Sequence, residues 1–303
     1  MAKPSIKEIK GILNFGFYPD HYLTTALGAD AKAHGFSGDT FKALRKTLMS
    51  SVESLCEKPS EGLIQEAAES IFKALGFYEV RGVGDNSLKL VLDGREFSCP
   101  TERIVPFIGD KGLLALFIDK SAVASGDEAS SRDKAIEHFY QGDSPLKMRD
   151  RASYYSWRDV ITAAFNSDYS TAENIIVCSG KQIHLLERGK WQESEAYMTF
   201  DLGTLFAVNA DDGYQITESL LAAKAFPIAS AESFHDVVGR NAHKKAAEVT
   251  KALRDTLRDS IEILANQILD THRRKTIKEL SQFDFENQVD RDAAAKVIFD
   301  QSL

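Results

Sequence analysis

Residues 156–206 read SWRDVITAAFNSDYSTAENIIVCSGKQIHLLERGKWQESEAYMTFDLGTLF, a helix followed by a hairpin. Ser156 with Asp159 three residues later forms a capping-box-like start, and Trp157, Val160, Ile161 and Ala164 then recur at helical spacing. That stripe predicts a buried helix face. Asn174 to Cys178 is a β-branched run, Ser179-Gly180-Lys181 a turn, and Gln182 to Arg188 a second strand ended by Gly189. Trp191, just past that stop, is placed to cover the strand Ile175 to Val177. A further strand is expected from Glu195 to Phe200, with Asp201 capping the next helix.

Composition sets the frame for that reading. The chain has 303 residues, 43% hydrophobic and 27% charged, in the ordinary range for a globular protein with room for one large domain or two small ones. Its N-terminal apolar run is short and interrupted by Pro4, Lys7 and Lys10, which predicts neither a signal peptide nor a membrane span, hence a cytoplasmic chain with no membrane partner. Cys56, Cys99 and Cys178 are widely spaced and odd in number, so they form no disulfide framework and no metal knuckle. A net charge of −8 excludes a chain that wraps nucleic acid with its whole surface, so any DNA contact must come from a local patch.

The organising stretch resembles a region near the N-terminus of the large Eco57I-type adenine DNA methyltransferases, which include type IIG restriction enzymes and the methylase of DISARM phage-defence systems. The resemblance runs through Trp157, through Glu187-Arg188-Gly189-Lys190-Trp191, and through Phe200-Asp201-Leu202-Gly203-Thr204-Leu205-Phe206. Phe17 followed by His21-Tyr22-Leu23 is similar to the opening of the same proteins. Ala242-His243-Lys244-Lys245-Ala246 and Leu253 to Arg258 look like the helix that leads toward their catalytic domain. The resemblance implies an N-terminal module that orients DNA or partner subunits in restriction-modification or phage defence. It also implies S-adenosylmethionine only where a catalytic domain lies downstream. This chain has neither a Gly-rich loop between strand and helix nor an Asn/Asp-Pro-Pro-Tyr/Phe phrase, and Gly82-Val83-Gly84 precedes a hairpin, so no cofactor is expected in the chain itself.

The remainder of the chain fills in an α/β fold: a nuclease-like mixed sheet flanked by helices, with N-terminal helices and a long C-terminal helix. Three segments are expected: a helical one over 1–75, an α/β core over 76–206 with a mobile loop at 122–151, and a helical one over 207–303. Pro19 suits a helix start, and His21, with no metal-ligand spacing around it, reads as a packed histidine. Two amphipathic helices run from Phe41 to Leu75, broken at Pro59-Ser60. Phe77 to Val80 is expected to enter β structure, Asp93-Gly94 turns a hairpin between Leu88 to Val91 and Glu96 to Ser98, and Leu113 to Ile118 is a buried strand. A short helix is expected around Ala135 to Phe139, a polar turn at Ala207 to Gly213, and a helix from Leu220 to Phe226 that stops at Pro227. Asp292 to Phe299 reads as helix without a stop signal, which predicts continuation into further sequence.

A helix carrying Glu66, then a hairpin, a strand, a helix and a strand is the order found in PD-(D/E)xK nucleases, whose site lies at the strand end. Lys120 stands where that chemistry places its lysine, but Ile118 occupies the position of the acid. Asp119 points to the opposite face of a strand, and Asp93 belongs to its turn. A degenerate nuclease-like position without a metal is the expectation, with an active nuclease as the remaining alternative.

In the C-terminal segment, Val249, Leu253, Leu257, Ile261, Leu264 and Ile268 share one helix face, with Ser260 among them. Away from it lie Lys244, Lys251, Arg254 and Arg258, continued by Arg273, Arg274 and Lys275. Ten Lys or Arg against five Asp or Glu between Arg240 and Lys278 make a local excess of five. One reading is a phosphate-contacting surface. The other is a solvated face in which Lys244 pairs with Glu248, Lys251 with Asp255 and Arg258 with Glu262, leaving the helix to bind protein.

Overall fold

The computed structural model describes residues 9–36, 38–57, 60–120, 139–149, 153–168, 171–208, 211–228, 230, 232–284 and 286–301. The chain divides into two compact units, Met1–His243 and Lys244–Leu303.

In the first unit the chain runs through strand β1 (Ile12–Phe15) and helices α1 (Asp20–Thr25), α2 (Leu27–Ala33), α3 (Gly38–Glu57) and α4 (Glu61–Ala74). Strands β2 (Ser87–Leu92), β3 (Arg95–Pro100), β4 (Arg103–Pro106), β5 (Leu113–Asp119), β6 (Asp143–Lys147) and β7 (Tyr154–Ser156) follow. Then come α5 (Trp157–Asn166), β8 (Ala172–Ser179), β9 (Gln182–Glu187), α6 (Arg188–Ser194), β10 (Tyr197–Asp201), α7 (Leu202–Val208) and α8 (Asp211–Leu221). Helix α9 (Phe234–Leu280) passes from the first unit into the second, which ends with α10 (Gln288–Gln301).

Six strands form one mixed sheet in the order β1-β10-β9-β8-β5-β4. Only β5 and β8 pair in parallel, with Leu116 opposite Ile176 and Phe117 opposite Val177, and the other neighbours are antiparallel. Because strand side chains alternate between faces, β5 and β8 feed two separate cores. Leu114, Leu116, Ile176 and Cys178 join the side chains of α1 to α4, α8 and the start of α9 on one face. Ala115, Phe117, Ile175 and Val177 meet α5 and the β2–β3 hairpin on the other. Burial on both faces explains why β5 and β8 read as nearly unbroken apolar runs.

Local chemistry places the elements as the sequence predicts at several points. Ser156 Oγ accepts from the Asp159 N–H at 3.2 Å while the Asp159 carboxylate accepts from the Ser156 N–H at 3.2 Å, a complete capping box. Asp201 Oδ1 accepts from the Thr204 N–H at 3.0 Å. Asp93 and Gly94 both have positive φ, 50° and 71°, and Leu92 pairs directly with Arg95, as a two-residue turn requires. Gly112 is needed where β5 begins: at φ +119° a Cβ there would stand 2.4 Å from Glu173 Cγ and 2.8 Å from the Thr171 carbonyl oxygen.

Other expectations are corrected. Ile12–Phe15 is an edge strand paired to β10, so the first 75 residues share the sheet rather than forming a purely helical segment. Phe77 to Val80 is turn, not strand: Phe77 is fully buried and its N–H donates to the Phe72 carbonyl at 3.1 Å, closing the end of α4. Arg188 to Ser194 is a helical turn, so β9 stops at Glu187. The helix ahead of Pro227 lies earlier, at Asp211–Leu221, which takes in part of the expected polar turn; a short 3₁₀ turn at Ala223–Ala225 follows. Of the loop 122–151, Asp143–Lys147 is β6; of the helix expected over Ala135 to Phe139, residues 135–138 lie outside the described residues, and Phe139 is helical and buried.

Trp191 is 3% exposed in the core that contains Ile175 and Val177, and its indole N–H donates to Thr162 Oγ1 at 3.2 Å. Trp191→Ala is therefore expected to destabilise the fold by about 3–5 kcal/mol in a denaturant titration. A loss under about 1 kcal/mol would show that the site collapses without cost.

Candidate functional site

Ile118, Asp119 and Lys120 sit at the C-terminal end of the parallel pair. Asp119 is 1% exposed and its carboxylate accepts the Ser179 hydroxyl at 2.8 Å, while Lys120 next to it is exposed. Burial and the Asp119 charge push the neighbouring Cys178 thiol up to about 12, so it remains a thiol rather than a reactive thiolate. Ile118 packs against the apolar cores from its own side of the strand. Asp93 is in the turn of the separate β2–β3 hairpin, where it accepts the Tyr155 hydroxyl at 3.1 Å. Asp93 and Asp119 therefore have different structural partners. Among the described residues no three His, Cys, Asp or Glu side chains converge as a metal site. Glu66 is exposed on α4.

A cleft of about 540 Å³ lies within the first unit, walled by the β1–α1 turn, α6 and the first turns of α9. Asn14 builds the turn: its side-chain oxygen accepts from the N–H groups of Phe17 and Tyr18 at 3.0 and 3.2 Å, and its amide donates to the Tyr18 carbonyl and to Asp20. Gly16, at φ +78°, lets the chain reverse between them. Lys190 reaches across from α6 so that its ammonium lies 4.5 Å from the Phe17 ring centroid and 4.9 Å from that of Tyr18, and it pairs with Glu187. Below it the Tyr18 hydroxyl donates to His235 Nδ1 at 2.8 Å, and His235 Nε2–H donates to the Leu220 carbonyl at 2.9 Å. This network ties the β1–α1 turn, α8 and α9 together. The sequence gives little sign of it, because its parts come from opposite ends of the unit.

The basic residues singled out from the sequence lie on α9, and Lys244, Lys251, Arg254, Arg258, Arg273, Arg274 and Lys275 are all exposed. At about 100° per residue the first four fall within one arc of the helix. Arg273, Arg274 and Lys275 are consecutive and therefore spread around it, so they do not continue that arc together. Arg258 pairs with Glu262 at 3.1 Å as expected, whereas Glu248 is engaged by Lys245 at 3.4 Å. Lys275 lies 4.0 Å from Glu279.

The apolar face of the same helix is the larger feature. Phe234, Val238 and Ala242 are buried in the first unit. In the second unit Val249, Leu253, Leu257, Ile261, Leu264 and Ile268 are 44–69% exposed. Amphipathic helices gain most of their stability by covering such a face, and here it is open. No described helix is long and apolar enough to cross a membrane.

Comparison with protein-family models, with curated proteins and with solved structures finds no match to this chain.

Two outcomes follow from these geometries. The protein is expected neither to cleave DNA nor to bind Mg²⁺ at β5; metal-dependent nicking of a plasmid that disappears in Lys120→Ala would contradict this. Burial, together with the Lys190 charge, lowers His235 from 6.5 to about 3, so it is neutral in the fold. As pH falls below 6.5 the unfolded chain takes up a proton that the fold refuses. Stability should drop by about 1 kcal/mol per pH unit from this group until the fold protonates near pH 3. His235→Gln should flatten the urea-midpoint profile between pH 6 and 4, and an unchanged profile would show that His235 carries no such linkage.

Proposed function

We propose that this chain is a non-catalytic module that holds a protein partner through α9, and that it serves to orient DNA or subunits for an adenine DNA methyltransferase of the restriction-modification or phage-defence kind. The observation that carries the reading is the open apolar face of α9. A helix that leaves six large side chains in water is completed by protein surface, not by phosphate. Charge supports the same conclusion. Residues 244–303 contain eleven Lys or Arg and eleven Asp or Glu, so their net charge is 11 − 11 = 0 and the −8 of the whole chain belongs to residues 1–243.

The methyltransferase context rests on the resemblance around Trp157, Lys190-Trp191, Phe200 to Phe206 and His243-Lys244. The succession α4, β2–β3, β5, α5 and β8, with β5 parallel to β8, supports a nuclease-like scaffold that has lost its metal site. S-adenosylmethionine would belong to a catalytic domain outside these residues.

One observation favours a second reading: Lys244, Lys251, Arg254 and Arg258 share an exposed arc, as a helix tracking a DNA backbone would need. Light scattering coupled to size exclusion, with a separately expressed Eco57I-type catalytic chain, should show a protein complex. Fluorescence anisotropy with duplex DNA should give a salt slope that Lys244→Ala, Lys251→Ala, Arg254→Ala and Arg258→Ala together leave unchanged. A chain that remains monomeric alone and in the mixture, with a DNA salt slope that falls by about 3 in the quadruple variant, would replace protein docking with DNA binding.

A further inference from the structure

The open face of α9 is matched to a copy of itself. Val249 to Ile268 spans 20 residues, about 28 Å of helix, and offers a strip on the order of several hundred Å². With its polar rim that approaches the roughly 800 Å² per partner that a stable pair buries.

The order of residues along the strip is close to palindromic. When two copies run antiparallel about a point between Arg258 and Asp259, Leu253 meets Leu264 and Leu257 lies over Ser260 near the centre line, while Val249 is level with Ile268 and Ile261 with Thr256 across the two edges of the strip. Large side chains thus face large ones in the outer layers and small ones in the middle, the alternation that helix packing needs. On one flank, two residues out of that register, Ala252 comes beside Ile263 and Lys245 beside Asp270, each twice by symmetry. Residues 244–303 have no net charge, so two copies meet without net repulsion.

We infer that the partner on this face is a second copy of this chain, paired through an antiparallel α9–α9 contact over Val249 to Ile268. The inference rests on the protein-docking reading of α9 and names its occupant. Lys245 and Asp270 are 25 residues apart on one helix, about 37 Å, so they cannot meet within a chain. Any coupling between them reports the second copy.

Sedimentation velocity of the full chain alone, over a range of concentrations, tests this. The expected result is a species of twice the 33.6 kDa chain mass. Leu253→Glu with Leu264→Glu should weaken that species more than a hundredfold without moving the thermal unfolding of the first unit, because both sites are exposed. Lys245→Glu alone should weaken it several-fold, and Lys245→Glu combined with Asp270→Lys should restore it. A chain that is monomeric at every concentration but joins the methyltransferase catalytic chain would overturn the second copy and leave docking standing. A chain that does neither would overturn both. A dimer indifferent to the leucine substitutions would place the contact elsewhere, and one sensitive to them but not rescued by the charge exchange would overturn the antiparallel register.

Discussion

The parallel pairing of β5 with β8 is the constraint on which the rest of the first unit depends. Two parallel neighbours cannot be joined by a tight turn, so the chain between Asp119 and Ala172 must cross over one face of the sheet, and α5 lies in that connection. Both faces of the pair are then covered, and the apolar residues of β5 and β8 have a core to enter on either side. From this centre the sheet grows by antiparallel neighbours, outward to β4 on one side and through β9 and β10 to β1 on the other. The same arrangement explains Asp119. At the end of a strand buried on both faces its carboxylate needs a partner, and the Ser179 hydroxyl on the parallel neighbour provides one.

Much of this was legible in the sequence wherever a local rule determines the outcome. The Ser156–Asp159 box, the Asp93-Gly94 turn and the Asp201 cap are each set by a few adjacent residues, and each forms as read. What could not be read locally depended on distant partners. Ile12 to Phe15 is too short to announce itself as a strand, and it becomes one because β10 presents an edge to it. Phe77 to Val80 has strand-forming residues, but Gly76 at φ +86° and the buried Phe77 ring close the end of α4 instead. The sequence does not mark Asn14, and it marks Lys190 only within the Glu187-to-Trp191 phrase, because their place in the cleft comes from a turn and a helix brought together by the sheet.

On α9 the sequence revealed the stripe but not its fate. An apolar face at helical spacing usually signals burial within the same chain. Here the first turns fulfil that expectation with Phe234, Val238 and Ala242, and the later ones do not. The charged side of the helix contains its own counter-ions, as Arg258 with Glu262 and Lys245 with Glu248 show, and surface pairs of this kind contribute little to stability. The unspent interaction of the second unit is therefore hydrophobic, and mass action makes the pairing of copies more populated as the protein concentration rises.

Amide hydrogen exchange measured on the full chain at low and high protein concentration addresses that claim most directly. The account predicts that protection across residues 249–268 rises with concentration while that of β5 and β8 stays constant. Fast exchange across 249–268 at every concentration would contradict it.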